Sequence, residues 1–197
     1  MSKPLTIIEK IWRRHVIHVN EHGETLLFID RHYLEEGCVF AFEGLKQAKR
    51  PVRRPDLTFA VADHLVPTRG RPAGPSDPEL SDVLARMRQY TNEAGVEFLD
   101  QDDPRQGIVH VVAPELGLSL PGAVIACGDS HTSTHGALGA LALSIGASEC
   151  THVLATPGVD THSSYVALSR HRDGIDLHYG RDDFSEQRQL TRTLGRE

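Results

Sequence analysis

Three places along this chain combine residue types that can move protons and hold oxyanions: Asp63-His64, His110 within GIVHVV, and Asp129-Ser130-His131. A carboxylate beside an imidazole can fix its tautomer and raise its basicity, which makes a proton donor or acceptor usable near neutral pH. The second Asp/His pair can grip a hydroxyl, a water or a metal-bound oxygen. Each piece also has a bland reading. An Asp-His dipeptide can be a coincidence of surface sequence, and a histidine in an apolar run can be a satisfied core residue. GDSH can be a capped turn whose Asp, Ser and Thr satisfy free amides at a helix start. A further pairing, His131 with His135, has the i, i+4 spacing that would suit Zn²⁺ if both lay on one α-helix, and so would fit a metal-dependent hydrolase.

The elements expected to carry these groups follow from hydrophobic periodicity. Residues 2–17 read as an amphipathic helix with Ser2 as cap and Pro4 near its first turn, and the apolar set Leu5, Ile8, Ile11, Trp12 and Val16. ETLLFID (24–30) and LTFAVA (57–62) read as short strands that stop on Asp30-Arg31-His32 and Asp63-His64. Residues 67–78 read as a Pro/Gly-rich loop. Asp77 and Pro78 then open a helix striped by Leu80, Val83, Leu84, Met87 and Ala94 and closed by Gly95. Residues 96–99 and 123–127 read as two more strands, and 137–147 as an Ala/Leu-rich helix. Strands alternating with helices predict an α/β sheet, in which ligands gather beyond the carboxyl ends of the strands. Asp63-His64 and Asp129-Ser130-His131 both occupy that position.

Composition narrows the partners. The 197 residues are 39% hydrophobic and 24% charged, which suffices for a folded core and excludes a disordered or fibrous chain. A net charge of -6 with scattered Lys and Arg leaves no basic face for phosphates, so nucleic acid is an unlikely partner. No stretch approaches a membrane span and no signal peptide is evident, so a cytoplasmic location is expected. The three cysteines, Cys38, Cys127 and Cys150, form no C-x-x-C pair, and Cys127 reads as a buried thiol at a strand end.

Taken together and in order, the pieces are more specific than any alone. FIDRHYLEEG, FEGL with RPVRRPDLTFAVADHLVPT, QGIVHVVAPELGLSLPGAVIACGDSHTSTHGALGALALSIGASE, and HVLAT resemble the N-terminal part of the large subunits of 3-isopropylmalate dehydratases, within the aconitase superfamily. The resemblance covers residues 1–155. It implies an aconitase-like α/β/α three-layer domain, here incomplete. The implied enzyme is a hydro-lyase that interconverts 2- and 3-isopropylmalate in leucine biosynthesis, acting on a hydroxy-dicarboxylate with a separate small subunit as partner. It also implies a [4Fe-4S] cluster whose open iron acts as a Lewis acid on the departing hydroxyl. By motif, His64 oriented by Asp63 resembles the donor to that hydroxyl. Asp129 and His131 resemble the groups that hold the reacting oxygen, Ser130 a substrate-carboxylate contact, and His110 the remaining active-site imidazole. Family members bind the cluster through three cysteines in a later domain, two of them in a C-x-x-C pair, and Cys38, Cys127 and Cys150 stand at none of those positions. The chain is therefore expected to be inactive alone.

Residues 156–197 change character: they are rich in Arg, lack Lys and carry no apolar stripe. HVLATPGVDTHSSYVALSRHRDGIDLHYGRDDF resembles the end of the helicase domain of conjugative-transfer relaxases, where an arginine such as Arg170 or Arg172 reaches a nucleotide phosphate. No G-x-x-x-x-G-K-[ST] loop exists in the sequence to cradle phosphates, so ATPase activity is not expected. A junction between Cys150 and Pro157, and with it an inert gene-fusion product, is the competing expectation.

Overall fold

A computed structural model describes residues 4–23, 25–67, 75 and 77–156. The family-like body lies almost wholly within them. Ser2, most of the loop expected over 67–78 and the tail from 157 onward lie outside.

The first helix, α1 (Ile7–His15), starts later than the apolar pattern suggested. Thr6 caps it by accepting from Glu9 N while the Glu9 carboxylate accepts from Thr6 N, a reciprocal box that sets the boundary. Val16 has already turned extended, opening an antiparallel hairpin of β1 (Val16–Val19) and β2 (Thr25–Leu27).

The strand expected over 24–30 is confined to β2 of the hairpin, and the strand that enters the main sheet begins only after Asp30. Arg31–Leu34 form β3, the middle strand of a five-stranded sheet, with His32 opposite Thr58 on one side and Ala126 on the other. Its polar-looking letters are deceptive because both neighbours saturate its backbone, and His32 and Tyr33 are buried. Then come α2 (Val39–Gln47), β4 (Thr58–Val61), α3 (Pro78–Ala94) and β5 (Glu97–Leu99). As expected, Asp77 caps α3 by accepting from Glu79 N, and Gly95, at φ 70°, ends it in the left-handed region that a side chain would resist. The last elements are α4 (Val109–Glu115), β6 (Val124–Cys127), β7 (Leu141–Ser144) and α5 (Ala147–Ala155).

The helix expected over 137–147 is not formed. Thr132–Leu138 make a 3-10 helix that closes on Gly139 at φ 80°, and Leu141–Ser144 then become an edge strand. High helix propensity in ALALS yields to the open ladder of β6, which pairs with β7 from Val124 to Cys127.

All five strands are parallel, in the order β5-β4-β3-β6-β7. Alternate residues feed opposite faces. Leu34, Ala60, Val124 and Ala126 join one core with Ile11, Phe42, Leu45, Met87 and Leu154; Tyr33, Phe59, Val61, Ile125 and Cys127 join another with Val109, Val112 and Ala113. The result is the expected α/β/α layering. Gly44 lets α5 approach α2, since a Cβ there would meet Thr151 Cγ2 at 3.3 Å. The chain runs outward from β3 through β4 to β5, then returns to place β6 on the other side of β3. That reversal opens a crevice at the carboxyl ends of β3 and β6, the place where such sheets accept ligands.

Candidate active site

Glu35 and Glu36 leave β3, Asp63 and His64 leave β4, and Asp129 leaves β6, so three strand ends deliver acidic groups and an imidazole to one place. Glu36 is fully buried and accepts from the backbone amides of His64, at 3.1 Å, and Leu65, at 3.0 Å. Burial pushes its carboxyl up, against those amide bonds. It thereby anchors the turn on which His64 sits. Asp63 uses Oδ2 to accept from Val109 N at 2.9 Å and Oδ1 to engage Nδ1 of His64. Gln106 bonds the Ala62 carbonyl and steadies the same turn.

His64 and His110 meet on one carboxylate. Asp129 Oδ2 lies 3.3 Å from Nε2 of His64, and Oδ1 lies 2.6 Å from Nε2 of His110 and accepts from His131 N at 2.6 Å. Burial works against the charge on Asp129. The bonds from His110 and from the His131 amide, with the two imidazoles nearby, nonetheless hold its carboxyl below the ordinary range. Burial likewise opposes a charged His64, but Asp63 first, then Glu35 and Glu36, outweigh it and raise its pKa. The arrangement is an anionic carboxylate clasped by two rings, one of them poised to carry a proton.

Four predicted site residues therefore come together: Asp63, His64, His110 and Asp129. Ser130 and His131 stand at the lip instead. Both are exposed, and His131 Nδ1 lies 3.5 Å from Asp129 Oδ1 with its side chain 76% accessible. His131 and His135 do not form a ligand pair. In a 3-10 helix a four-residue step turns the side chain roughly a third of a turn away. His135 is buried, with Nε2 engaged by His110 and Nδ1 by Ser119.

Sequence reasoning passed over Glu36, Ser119 and Tyr33. Glu36 had a usable signal, an acidic residue directly after a strand; Ser119 and Tyr33 had none, because a turn serine and a strand tyrosine are ordinary. Among the described residues the sole group of three ligand atoms within 4.8 Å of one another is Glu35, Glu36 and His64. Glu35 is already bonded to Gly37 N at 2.5 Å, Glu36 to two amides and His64 to Asp63, so these atoms serve the loops.

The cysteines do not fit a cubane cluster. Cys38 and Cys150 touch, with Sγ atoms 3.7 Å apart, and both are buried, as is Cys127. Thiolates that enclose a [4Fe-4S] core must spread around it, and thiols in mutual contact inside a packed core leave it no room. Burial pushes the Cys127 thiol up to about 12, as befits an inert thiol.

No helix among the described residues is long and apolar enough to cross a membrane. The pattern described as Aconitase family (aconitate hydratase) matches residues 9–168, which takes in every strand of the sheet and runs past the boundary expected at 155. Since that match spans most of the sequence and every strand end that builds the crevice, the chain belongs to the aconitase family.

Proposed function

We propose that this chain supplies the acid and oxygen-holding half of a 3-isopropylmalate dehydratase site, in which a hydroxyl moves between neighbouring carbons of a hydroxy-dicarboxylate. The observation that carries the reading is the single Asp129 carboxylate shared by His64 and His110 at the crevice between β3 and β6. His64, backed by Asp63, holds the proton given to the departing hydroxyl. Asp129 and His131 hold the reacting oxygen, and Ser130, exposed at the lip, meets a substrate carboxylate. His110 completes the site as the second imidazole on Asp129. The DRH and AxDH runs support the isopropylmalate branch.

The [4Fe-4S] cluster of this family would supply the Lewis acid. The three cysteines do not fit it, and in this reading the chain turns nothing over by itself. A small subunit completes the enzyme in this reading. A separate origin for residues 156–197 is supported by their Arg-rich composition and the YVALSRHR run.

The test is to join residues 1–156 to the downstream domains of an active isopropylmalate dehydratase large subunit and add its small subunit. Turnover of 3-isopropylmalate, abolished by His64→Ala, is expected. Turnover of citrate instead, or activity that survives His64→Ala, would overturn the reading.

A further inference from the structure

A line of hydrogen bonds leaves the site on the side of His110 and runs into the core. His110 Nδ1 lies 3.0 Å from Nε2 of His135; His135 Nδ1 lies 3.0 Å from Ser119 Oγ; Ser119 Oγ lies 2.9 Å from the Tyr33 hydroxyl. His135, Ser119 and Tyr33 are buried, and the aromatic rings along the line are packed: His135 meets His110 edge-on with centroids 5.1 Å apart and Tyr33 at 5.5 Å. Buried polar groups in such a line must each find a complementary partner.

The polarity of the line can be worked out from one end. An ionised carboxylate accepts only, so the 2.6 Å bond to Asp129 Oδ1 requires a hydrogen on Nε2 of His110. A neutral His110 then has a lone pair at Nδ1, so His135 must carry its hydrogen on Nε2 and donate. That leaves Nδ1 of His135 to accept from the Ser119 hydroxyl, whose oxygen accepts from Tyr33. Every donor points toward Asp129. Burial, and after it the nearby His110, lowers the pKa of His135, which favours the neutral ring; burial raises the Tyr33 phenol to about 12, which keeps it a donor.

We propose that His135 is a positioning residue which, backed by Ser119 and Tyr33, locks His110 in the Nε2–H tautomer and so keeps it a donor to Asp129. The other Asp129 oxygen is thereby left to His64, and the two imidazoles divide their work on one carboxylate. The catalytic meaning of this division rests on the dehydratase reading, whereas the tautomers do not.

The experiment is long-range ¹H–¹⁵N correlation of the histidine rings in the full-length ¹⁵N-labelled chain at neutral pH. The wild type should show His110 and His135 as single Nε2–H forms. His135→Leu should lose the single-form pattern at His110 and show an Nδ1–H population, while His135→Gln, which retains an N–H donor, should restore the Nε2–H form. If His135→Leu fails to fold, Ser119→Ala interrogates the same line one step back: His135 should lose its single pattern. An Nδ1–H His110 in the wild type, or an unchanged His110 pattern in His135→Leu, or unchanged His135 in Ser119→Ala, overturns the proposal. A chain with the expected tautomers whose domain graft turns over no isopropylmalate refutes the dehydratase reading alone.

Discussion

Asp129 Oδ2 lies 3.3 Å from Nε2 of His64, so the carboxylate that follows β6 closes on the imidazole that follows β4, although 65 positions separate them in sequence. The strand between them is β3, and its parallel pairing with both neighbours sets the span that the two side chains cross. The site is thus a property of strand order.

Asp63 is the first charge to act on His64 in opposition to burial. Asp63→Asn is expected to bring the His64 pKa down toward or below the ordinary imidazole value of about 6.5. An NMR titration of the ring measures this directly. A His64 pKa unmoved by the substitution would show that Glu35 and Glu36 alone retain its proton.

His15 donates from Nδ1 to the Ile11 carbonyl at 2.8 Å and pairs through Nε2 with Asp30 at 2.7 Å, so both ring nitrogens act as donors. The Asp30 hydrogen bond raises the His15 pKa, against burial. A pKa raised on folding stabilises fully below the unfolded value, and that contribution is lost as pH rises through the folded value. Asp30→Asn should therefore cost on the order of 1 kcal/mol more at pH 6 than at pH 8.5, after screening of this partly exposed pair. Urea unfolding at the two pH values checks it; an equal cost at both would contradict the charged pair.

Gly128 follows β6 where three side chains crowd it. A Cβ there would meet Cys38 Sγ at 3.1 Å, Glu35 Oε1 at 3.2 Å and Cys150 Sγ at 3.5 Å. Gly128→Ala is expected to destabilise by about 1–3 kcal/mol. Cys38→Ala in the same chain should recover part of the loss, which a double-mutant cycle in denaturant would read as a favourable coupling.

All three thiols are buried. The native chain should therefore react slowly with an aromatic disulfide reagent and release three equivalents only on unfolding. Anaerobic incubation with iron and sulfide should give no stoichiometric cluster by absorbance and iron content. A stable cluster would show that Cys38 and Cys150 part to admit it.

What the sequence by itself determined is local. Asp77, Pro78 and Gly95 bound α3 because caps and a left-handed glycine act over a few residues. Asp63-His64 and Asp129 could be placed at strand ends because an apolar run broken by polar residues reports where burial stops, and the GDSHTSTHGALGALA run pointed to the family. Competition between partners was settled only in three dimensions. LALS became β7 because β6 offered an unpaired edge, and RHYL became the middle strand because two neighbours saturate it, neither of which propensity records. The sharing of Asp129 by His64 and His110, and the buried line from His110 to Tyr33, depend on which strands lie side by side. A chain segment carries its own hydrogen-bonding capacity, but its partners are chosen by the packing of the whole.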